Sequence, residues 1–260
     1  MTRIVAIANQ KGGVGKTTTG INLAAALAEQ GRRVLLIDLD PQGNATMGSG
    51  AAATQQGLYD VLFGEAEPRN AIAAVACGYD VLAAHADLSG AELELIQIPQ
   101  RERRLRQALA PLQGGYDYIY IDCPPALSLL TVNALVAADA VLIPMQCEYY
   151  ALEGLTALLG TIRRVRAQLN PALTIDGLLR TMFDPRNSLA LEVSDQLTRH
   201  FGNQLFQTII PRNVRLAEAP SHGIPVIQYD RASRGAQAYL ALAAEILARE
   251  SPPAAGDLPP

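Results

Sequence analysis

The stretch NQKGGVGKTT, from Asn9 to Thr18, contains both lysines of the 260-residue chain, whose total of lysine and arginine is 21. A glycine-rich loop can present consecutive backbone N–H groups to an anion, and the N-terminus of a following helix adds to the attraction. An ammonium group is compact, whereas the planar fork of arginine fits such a nest poorly. The stretch therefore predicts a loop that binds phosphate.

Each position of this loop has an expected role. Glycine lets the backbone approach the anion, Lys16 reaches the terminal phosphates, and the Thr17 hydroxyl is a ligand for Mg²⁺. The predicted phosphate-binding set is Lys11, Gly12, Gly13, Val14, Gly15, Lys16, Thr17 and Thr18. The alternative is a glycine-rich turn without a ligand. A buried strand before the loop and a helix after it favour phosphate binding.

Carboxylates follow two other apolar runs. LLIDLD provides Asp38 and Asp40, and YIYID provides Asp122 after four apolar or aromatic residues. Hydrolysis of a phosphoanhydride needs Mg²⁺ and a group that positions the attacking water. Asp122 is the expected Walker B aspartate, which touches the Mg²⁺ shell through water. An isolated acid at a strand end is more often a cap or loop residue, but the phosphate loop favours a chemical role for Asp40 and Asp122.

The segments around these residues alternate between strand and helix patterns. Short β-branched runs predict buried strands, and alanine- and leucine-rich stretches predict helices. Strands are expected at 3–9, 32–40, 116–125, 139–145, 174–183 and 207–213, and helices at 17–31, 127–138, 152–169, 189–200 and 235–249. This order predicts an α/β fold, a single doubly wound, mostly parallel sheet with helices on both faces. We expect one P-loop NTPase domain over residues 1–250 and a disordered, proline-rich tail over 251–260.

Composition narrows the functional classes. The formal net charge of −4 argues mildly against a protein that coats DNA through its overall charge. Cys77, Cys123 and Cys147 lack CxxC spacing, which favours buried thiols in a reducing compartment. The N-terminal apolar run is too short for a signal peptide, and no apolar stretch reaches the length of a membrane span. A cytoplasmic protein is expected.

The phosphate loop departs from the usual Walker A pattern, which has glycine where this chain has Gln10. KGGVGKTT resembles the deviant loop KGGxGK[ST] of the ParA/MinD family of ATPases. The resemblance implies ATP and Mg²⁺ as cofactors and a homodimer that encloses ATP. Lys16 would then bind ATP in its own subunit, and Lys11 would reach the phosphates of the other. Asp40 matches the family's catalytic aspartate in DxDPQGN, which polarises water, and Asp38 would lie nearer the metal shell.

Two further segments extend the resemblance: the first resembles a segment of the same family, and the second resembles the family's chromosomal ParA/Soj group, which segregates DNA. PMQCEYYALEGL (144–155) places Glu148 where it would contact the other subunit's ribose. TIIPRNVRLAEAPSHGIPV (208–226) places Pro211 and Asn213 beside the adenine, and Met182 is a candidate for its other face. The resemblance extends to about residue 249.

The Soj resemblance also implies a DNA surface. The ATP dimer of that group binds double-stranded DNA without sequence preference, through arginines that correspond to Arg186 and Arg215. Between residues 161 and 235 the chain has ten arginines and six acidic residues, a local excess of four positive charges. A ParB-like, DNA-bound activator would stimulate a slow basal hydrolysis, and the protein would associate with the nucleoid.

Three alternatives use the same nucleotide-binding core. A MinD-like ATPase would need a basic amphipathic C-terminal helix to reach a membrane, but GAQAYLALAAEILARE has one arginine and two glutamates, which favours a core-packing helix and no membrane partner. A relative of the nitrogenase iron protein would use cysteines to share an iron–sulfur cluster across the dimer, and Cys123 and Cys147 keep this open. A regulatory nucleotide-binding module without turnover is the third.

Overall fold

The computed structural model describes residues 2–52, 54–149 and 151–250, in which strands and helices alternate. The strands are β1 Arg3–Ile7, β2 Val34–Asp38, β3 Ile72–Ala74, β4 Asp80–Leu82, β5 Tyr118–Asp122, β6 Ala140–Gln146, β7 Thr174–Phe183 and β8 Leu205–Pro211. The helices are α1 Lys16–Glu29, α2 Asn44–Gly48, α3 Leu58–Phe63, α4 Ala91–Leu95, α5 Arg104–Leu109, α6 Leu129–Ala137, α7 Ala151–Gln168, α8 Ser188–Phe201, α9 Val214–Glu218, α10 Val226–Tyr229 and α11 Arg234–Glu250.

All these strands lie in one sheet with the order β3-β4-β2-β5-β1-β6-β7-β8. Every neighbouring pair is parallel except β3 and β4, which form an antiparallel edge. The predicted mostly parallel sheet is confirmed. The antiparallel edge was not predicted from the sequence.

Strand β1 shows why its apolar run is continuous. Ile4 and Ala6 belong to one hydrophobic core, and the alternating residues Val5 and Ile7 belong to the other. The first core includes buried side chains of α6, α7 and α8, and the second includes those of α1 and α11. A strand buried on both faces needs apolar residues at every position. Helices therefore cover both faces, as predicted.

The last helix, α11, buries its apolar face in the second core through Ala236, Tyr239, Leu242 and Ile246. The expectation of a core-packing helix is confirmed. Within the described ranges, no helix has the length and hydropathy to cross a bilayer. The prediction of a disordered tail over 251–260 lies outside the described residues, and the domain boundary at residue 250 stays a prediction.

The carboxyl ends of the central strands bring the chemically interesting residues to one edge. Asp38 ends β2 and is paired in register with Asp122, which ends β5. Strand β1 lies next to β5, and the chain after Ile7 enters the glycine-rich loop. In open α/β sheets, ligands bind at the carboxyl ends of strands where the strand order reverses. Here the expected ligand position is at the carboxyl end of β1, which lies between β5 and β6 in the sheet.

Candidate functional site

The glycine-rich loop is held in the conformation that phosphate binding requires. Gly13 and Gly15 have φ angles of 71° and 86°, in the left-handed region that favours glycine. Helix α1 begins at Lys16, directly after Gly15. The Thr181 hydroxyl donates a 2.8 Å hydrogen bond to the carbonyl of buried Val14, which ties the loop to β7. The loop therefore has two glycines in the left-handed region and leads directly into the N-terminus of α1, an arrangement that can bind an anion.

The two lysines occupy different environments. Lys16 is buried, with 7% exposure, and its Nζ lies 3.4 Å from the backbone carbonyl of Lys11. Burial lowers the pKa of Lys16, and the nearby carboxylate of Asp122 opposes this shift. The Lys11 side chain is 38% exposed, and its Nζ contacts the Glu148 carboxylate at 2.5 Å. One ammonium is thus held inside the loop, and the other points to the surface.

A cavity of about 540 Å³ opens over the loop and α1. The predicted residues that line it are Gly12, Gly13, Gly15, Lys16, Thr17, Thr18, Asp40 and Met182. Asp40 is 9% exposed, and its Oδ1 accepts a 3.0 Å hydrogen bond from the backbone N–H of Gln42. The structure therefore brings the loop lysine, the hydroxyls and one carboxylate around a single space.

Asp38 and Asp122 lie side by side below this cavity, and both have 0% exposure. Burial, together with the neighbouring Asp38, raises the pKa of Asp122 to about 8. Burial also raises the pKa of Asp38 to about 6. The Thr17 hydroxyl and the Lys16 ammonium oppose this rise, but neither carboxylate oxygen of Asp122 accepts a hydrogen bond of ordinary geometry among the described residues. An unpartnered buried carboxylate is costly, and a hydrated Mg²⁺ is a group that would satisfy it.

The donor set suits an ion that takes most of its ligands from elsewhere. The part of the chain that the structure describes has no cluster of three or more His, Cys, Asp or Glu able to hold a metal ion. Mg²⁺ keeps several waters and is bound through one or two carboxylates and substrate phosphates. Asp122 and the Thr17 hydroxyl fit this pattern, with Asp38 beside them.

A second cavity of about 400 Å³ adjoins the first, and Gly15, Thr18 and Met182 line both. Its wall also contains the predicted residues Pro211 and Asn213. The two cavities therefore share a wall, and together they extend from the glycine-rich loop to β7 and the end of β8.

Two contacts set the shape of the second cavity. Met182 has a φ of 47°, which is rare for a residue other than glycine, and its Sδ lies 2.8 Å from Nε2 of Gln146. The Asn213 side chain accepts a 2.9 Å hydrogen bond from the backbone N–H of Arg215 and so caps α9. Two of the three residues predicted to contact the base are therefore held by neighbours.

The two arginines predicted to contact DNA lie outside both cavities. Arg186 donates to both oxygens of Asp184 at 2.9 and 2.7 Å, which lowers the pKa of that carboxyl to about 2. Arg215 lies 2.7 Å from Glu218 and 3.3 Å from Asp230. The arginine side chains are 88% and 45% exposed. Both guanidinium groups are thus at the surface with carboxylate partners.

Sequence reasoning missed three residues at this site. Thr46 hydrogen-bonds to Asp38, Gln146 contacts Met182, and Arg212 lines both the second cavity and a neighbouring one of about 290 Å³. Arg212 lies between two residues that were predicted, so its position was an available signal. No sequence pattern connected Thr46 to Asp38, since the contact depends on the path of the intervening loop.

The three cysteines are free and buried, as the sequence predicted. Cys123 is 1% exposed and Cys147 is 5% exposed. Burial raises the pKa of the Cys123 thiol well above its usual range and that of Cys147 to about 11. Both side chains therefore favour the neutral thiol, the form of a core residue, over the thiolate that ligates iron.

Comparison with known proteins places this site in a family. The model of a family described as "AAA domain" matches residues 2–175. The chain is 56% identical to the chromosome partitioning protein ParA of Caulobacter vibrioides, over 95% of each chain. It is 54% identical to the sporulation initiation inhibitor protein Soj of Bacillus subtilis, over 95% of this chain and 99% of that one.

A solved structure agrees with these relatives in fold. It is described as cobyrinic acid a,c-diamide synthase from Mycobacterium smegmatis with bound ADP and magnesium, and it superposes with a TM-score of 0.83 at 40% identity. The superposition covers 95% of this chain and 94% of that one. The shared fold therefore extends over nearly the whole length of both chains.

Proposed function

This chain belongs to the ParA/Soj family of chromosome-partitioning ATPases, and we propose that it is a DNA-segregation switch driven by ATP. Two subunits enclose ATP and Mg²⁺, and the dimer binds DNA without sequence preference. A DNA-bound, ParB-like activator accelerates a slow basal hydrolysis. The ADP-bound subunits then separate and leave the DNA.

The single observation that carries this proposal is the different placement of the two lysines. Lys16 is buried beneath its own loop, where it can neutralise phosphate in the same subunit. Lys11 has its ammonium at the surface beside Glu148. An exposed lysine in a phosphate loop has a use if a second subunit brings its own nucleotide to it. The arrangement therefore supports a sandwich in which each Lys11 contacts the other subunit's phosphates.

The carboxylates divide the work of hydrolysis. Asp122, Thr17 and the neighbouring Asp38 would hold Mg²⁺, which when bound offsets negative charge on the phosphate oxygens. Asp40 lines the cavity that contains Lys16. Its Oδ1 is held by the Gln42 N–H, and we assign its Oδ2 to the attacking water, which it positions and polarises. Lys16 and the loop N–H groups stabilise the charge that develops on the transferred phosphoryl group.

Formation of the dimer controls the affinity for DNA. Arg186 and Arg215 are exposed, but each has a carboxylate partner, so one subunit offers a weakly positive surface. Phosphate contacts contribute to affinity through counterion release, and losing several contacts costs orders of magnitude in binding at cellular salt. Two linked subunits double the number of contacts. Hydrolysis, which separates the subunits, would then act as the off-switch.

The experiment that tests this proposal measures mass and turnover together. Light scattering would give the mass of the full chain without nucleotide and with ADP, ATP or a nonhydrolysable ATP analogue, each with Mg²⁺. Phosphate release would be followed in the same buffer. We expect dimers with ATP and the analogue only, and slow phosphate release from ATP. An equal population of dimers with ADP would contradict the proposal that hydrolysis separates the subunits. The absence of phosphate release under every condition would also contradict the proposal, and it would favour a regulatory module without turnover.

A further inference from the structure

The buried carboxylate of Asp38 accepts hydrogen bonds from Thr46, a residue that has no role in the reaction proposed above. Its Oδ2 accepts two hydrogen bonds of 2.7 Å, one from the backbone N–H of Thr46 and one from the Thr46 hydroxyl. Its Oδ1 accepts a longer bond, 3.3 Å, from the backbone N–H of Asp40. Asp122, its neighbour in register, accepts no hydrogen bond of ordinary geometry on either oxygen within the described ranges, and the nearby Thr17 hydroxyl and Lys16 ammonium favour its charged form. The carboxylate of Asp38 is therefore hydrogen-bonded within the protein on both oxygens, whereas that of Asp122 is not.

The Thr46 hydroxyl connects three parts of the fold. It donates to Asp38 at the end of β2, and it accepts a 3.0 Å hydrogen bond from the backbone N–H of Ala84, after β4. Thr46 itself lies in α2. A hydroxyl has one proton and two lone pairs, so it can make both bonds at once. Removing the hydroxyl would leave the Ala84 N–H without this acceptor.

The loop between β2 and α2 is thereby pinned at both ends by one side chain. Asp38 holds the N–H of Asp40 near the start of the loop and the N–H of Thr46 near its end. Asp40, which lines the phosphate cavity, lies between these two points. A buried hydrogen-bond pair in a low-dielectric environment holds its geometry more firmly than an exposed one.

We propose that Thr46 is a positioning residue for hydrolysis, acting through Asp38 to hold Asp40 in line with the attacking water. The proposal rests on the assignment of Asp40 as the water-positioning group. Thr46 touches no nucleotide in this account. Its contribution is to the geometry of the loop, so it should affect the rate of the chemical step more than the binding of ATP.

The test compares Thr46→Val, which keeps the side-chain shape but lacks the hydroxyl, with Thr46→Ser, which keeps the hydroxyl. For Thr46→Val we expect kcat for ATP hydrolysis to fall roughly 10- to 100-fold with KM for ATP unchanged, since small misplacements of catalytic groups have effects of this size. Thr46→Ser should restore most of the rate. Thr156→Val is the matched control, because that hydroxyl bonds only to the Leu152 carbonyl within α7. All rates are taken well below each variant's own Tm.

The possible outcomes distinguish the assignments. Wild-type turnover by Thr46→Val, or a KM for ATP that rises as much as kcat falls, would overturn the role of Thr46. Equal losses in Thr46→Val and Thr46→Ser would also overturn it, since the hydroxyl would not be the active feature. Asp40→Ala is measured in parallel. If Asp40→Ala keeps wild-type turnover, the assignment of Asp40 fails first, whereas loss of activity there with a normal Thr46→Val removes only the inference about Thr46.

Discussion

The Nζ of Lys11 lies 2.5 Å from Oε2 of Glu148, a residue 137 positions away in the same chain. Both residues are proposed to contact the nucleotide of the other subunit. The ion pair must therefore separate when the dimer closes. Exposed ion pairs contribute little to stability, so the exchange of Glu148 for phosphate has a small cost.

Replacing each lysine by alanine should separate ATP binding from assembly. Lys16→Ala removes the buried charge in the phosphate cavity, so ATP binding and every later step should be lost. Lys11→Ala leaves that charge in place, so ATP should still bind to the single subunit, but dimers should not form. Calorimetry with ATP and light scattering would measure the two properties. ATP-dependent dimers of Lys16→Ala, or a normal dimer of Lys11→Ala, would contradict these roles.

Asp40→Ala should trap the ATP-bound dimer. The substitution removes the carboxylate that positions water but leaves the phosphate loop intact, so turnover should fall by at least about 100-fold, as for loss of a general base. DNA binding should then persist after ATP is added once. A filter assay for DNA retention over time would measure this. Release of DNA at the wild-type rate would show that Asp40 does not control hydrolysis.

Arg215→Ala should reduce DNA affinity without affecting ATP binding or the dimer. Arg33→Ala is the control, since Arg33 is also exposed and paired with a carboxylate, Asp117, but lies at the opposite, amino end of the sheet. Loss of a phosphate contact should also reduce the salt dependence of binding, by about one unit of slope per contact. Titrations at two salt concentrations would test both. A dimer that fails to form in Arg215→Ala would instead place Arg215 in the subunit interface.

The buried aspartate pair predicts how stability depends on pH. Burial raises the pKa of Asp122 from its ordinary value of 3.8 to about 8 in the folded chain, so the folded state binds more protons in that interval. Without nucleotide, stability should therefore fall as the pH rises from about 4 towards 8. Asp122→Asn removes this effect and should raise Tm at pH 8, by about 2–4 °C for each kcal/mol by which the free energy of unfolding increases.

The control for this pH effect is Asp87→Asn, an exposed aspartate in a short turn of helix. It should leave the difference in Tm between pH 5 and pH 8 unchanged. Thermal unfolding of the three proteins without nucleotide or Mg²⁺ would provide the comparison. A Tm for Asp122→Asn below that of the wild type at pH 8 would mean that the charged carboxylate is not the source of the instability.

A close contact between two glycines predicts a strong effect of a single methyl group. Gly50 has a φ of 62°, and a Cβ there would lie 2.5 Å from the carbonyl oxygen of Gly223. Gly114 has a φ of 81° with nothing within 4 Å of its Cβ position. Gly50→Ala and Gly114→Ala share the strain of a positive φ, about 1–2 kcal/mol, but only Gly50→Ala adds a clash. Denaturant unfolding should therefore show a larger loss for Gly50→Ala, and equal losses would mean that the loop moves freely.

Much of the fold was predictable because its long elements carry strong patterns. The run before Asp122 is apolar or aromatic at four consecutive positions, and the alanine-rich helix after the phosphate loop extends over 14 residues. The antiparallel pair β3 and β4 was missed because each strand has only three residues, too few to show a period. The same holds for α2, which has five residues.

The candidate site was predictable where its residues are consecutive or follow a strand. The phosphate loop and the carboxylates are of this kind. The contacts of Thr46 with Asp38, Lys11 with Glu148 and Gln146 with Met182 depend on how distant segments meet, and residue types alone do not specify such pairs. The left-handed φ of Met182 is set by an irregular pairing between β7 and β8, which a strand pattern does not reveal.

The most direct test of the central claim is the binding of the full chain to random-sequence duplex DNA, beside anionic liposomes, with no nucleotide, ADP, ATP or a nonhydrolysable analogue. Each condition is measured at two salt concentrations. We predict DNA binding only with ATP or the analogue, weakened by salt, and no binding to liposomes. DNA binding that is independent of nucleotide would contradict control by assembly. Liposome binding without DNA binding would instead mean that this chain acts at a membrane, as a MinD-like ATPase.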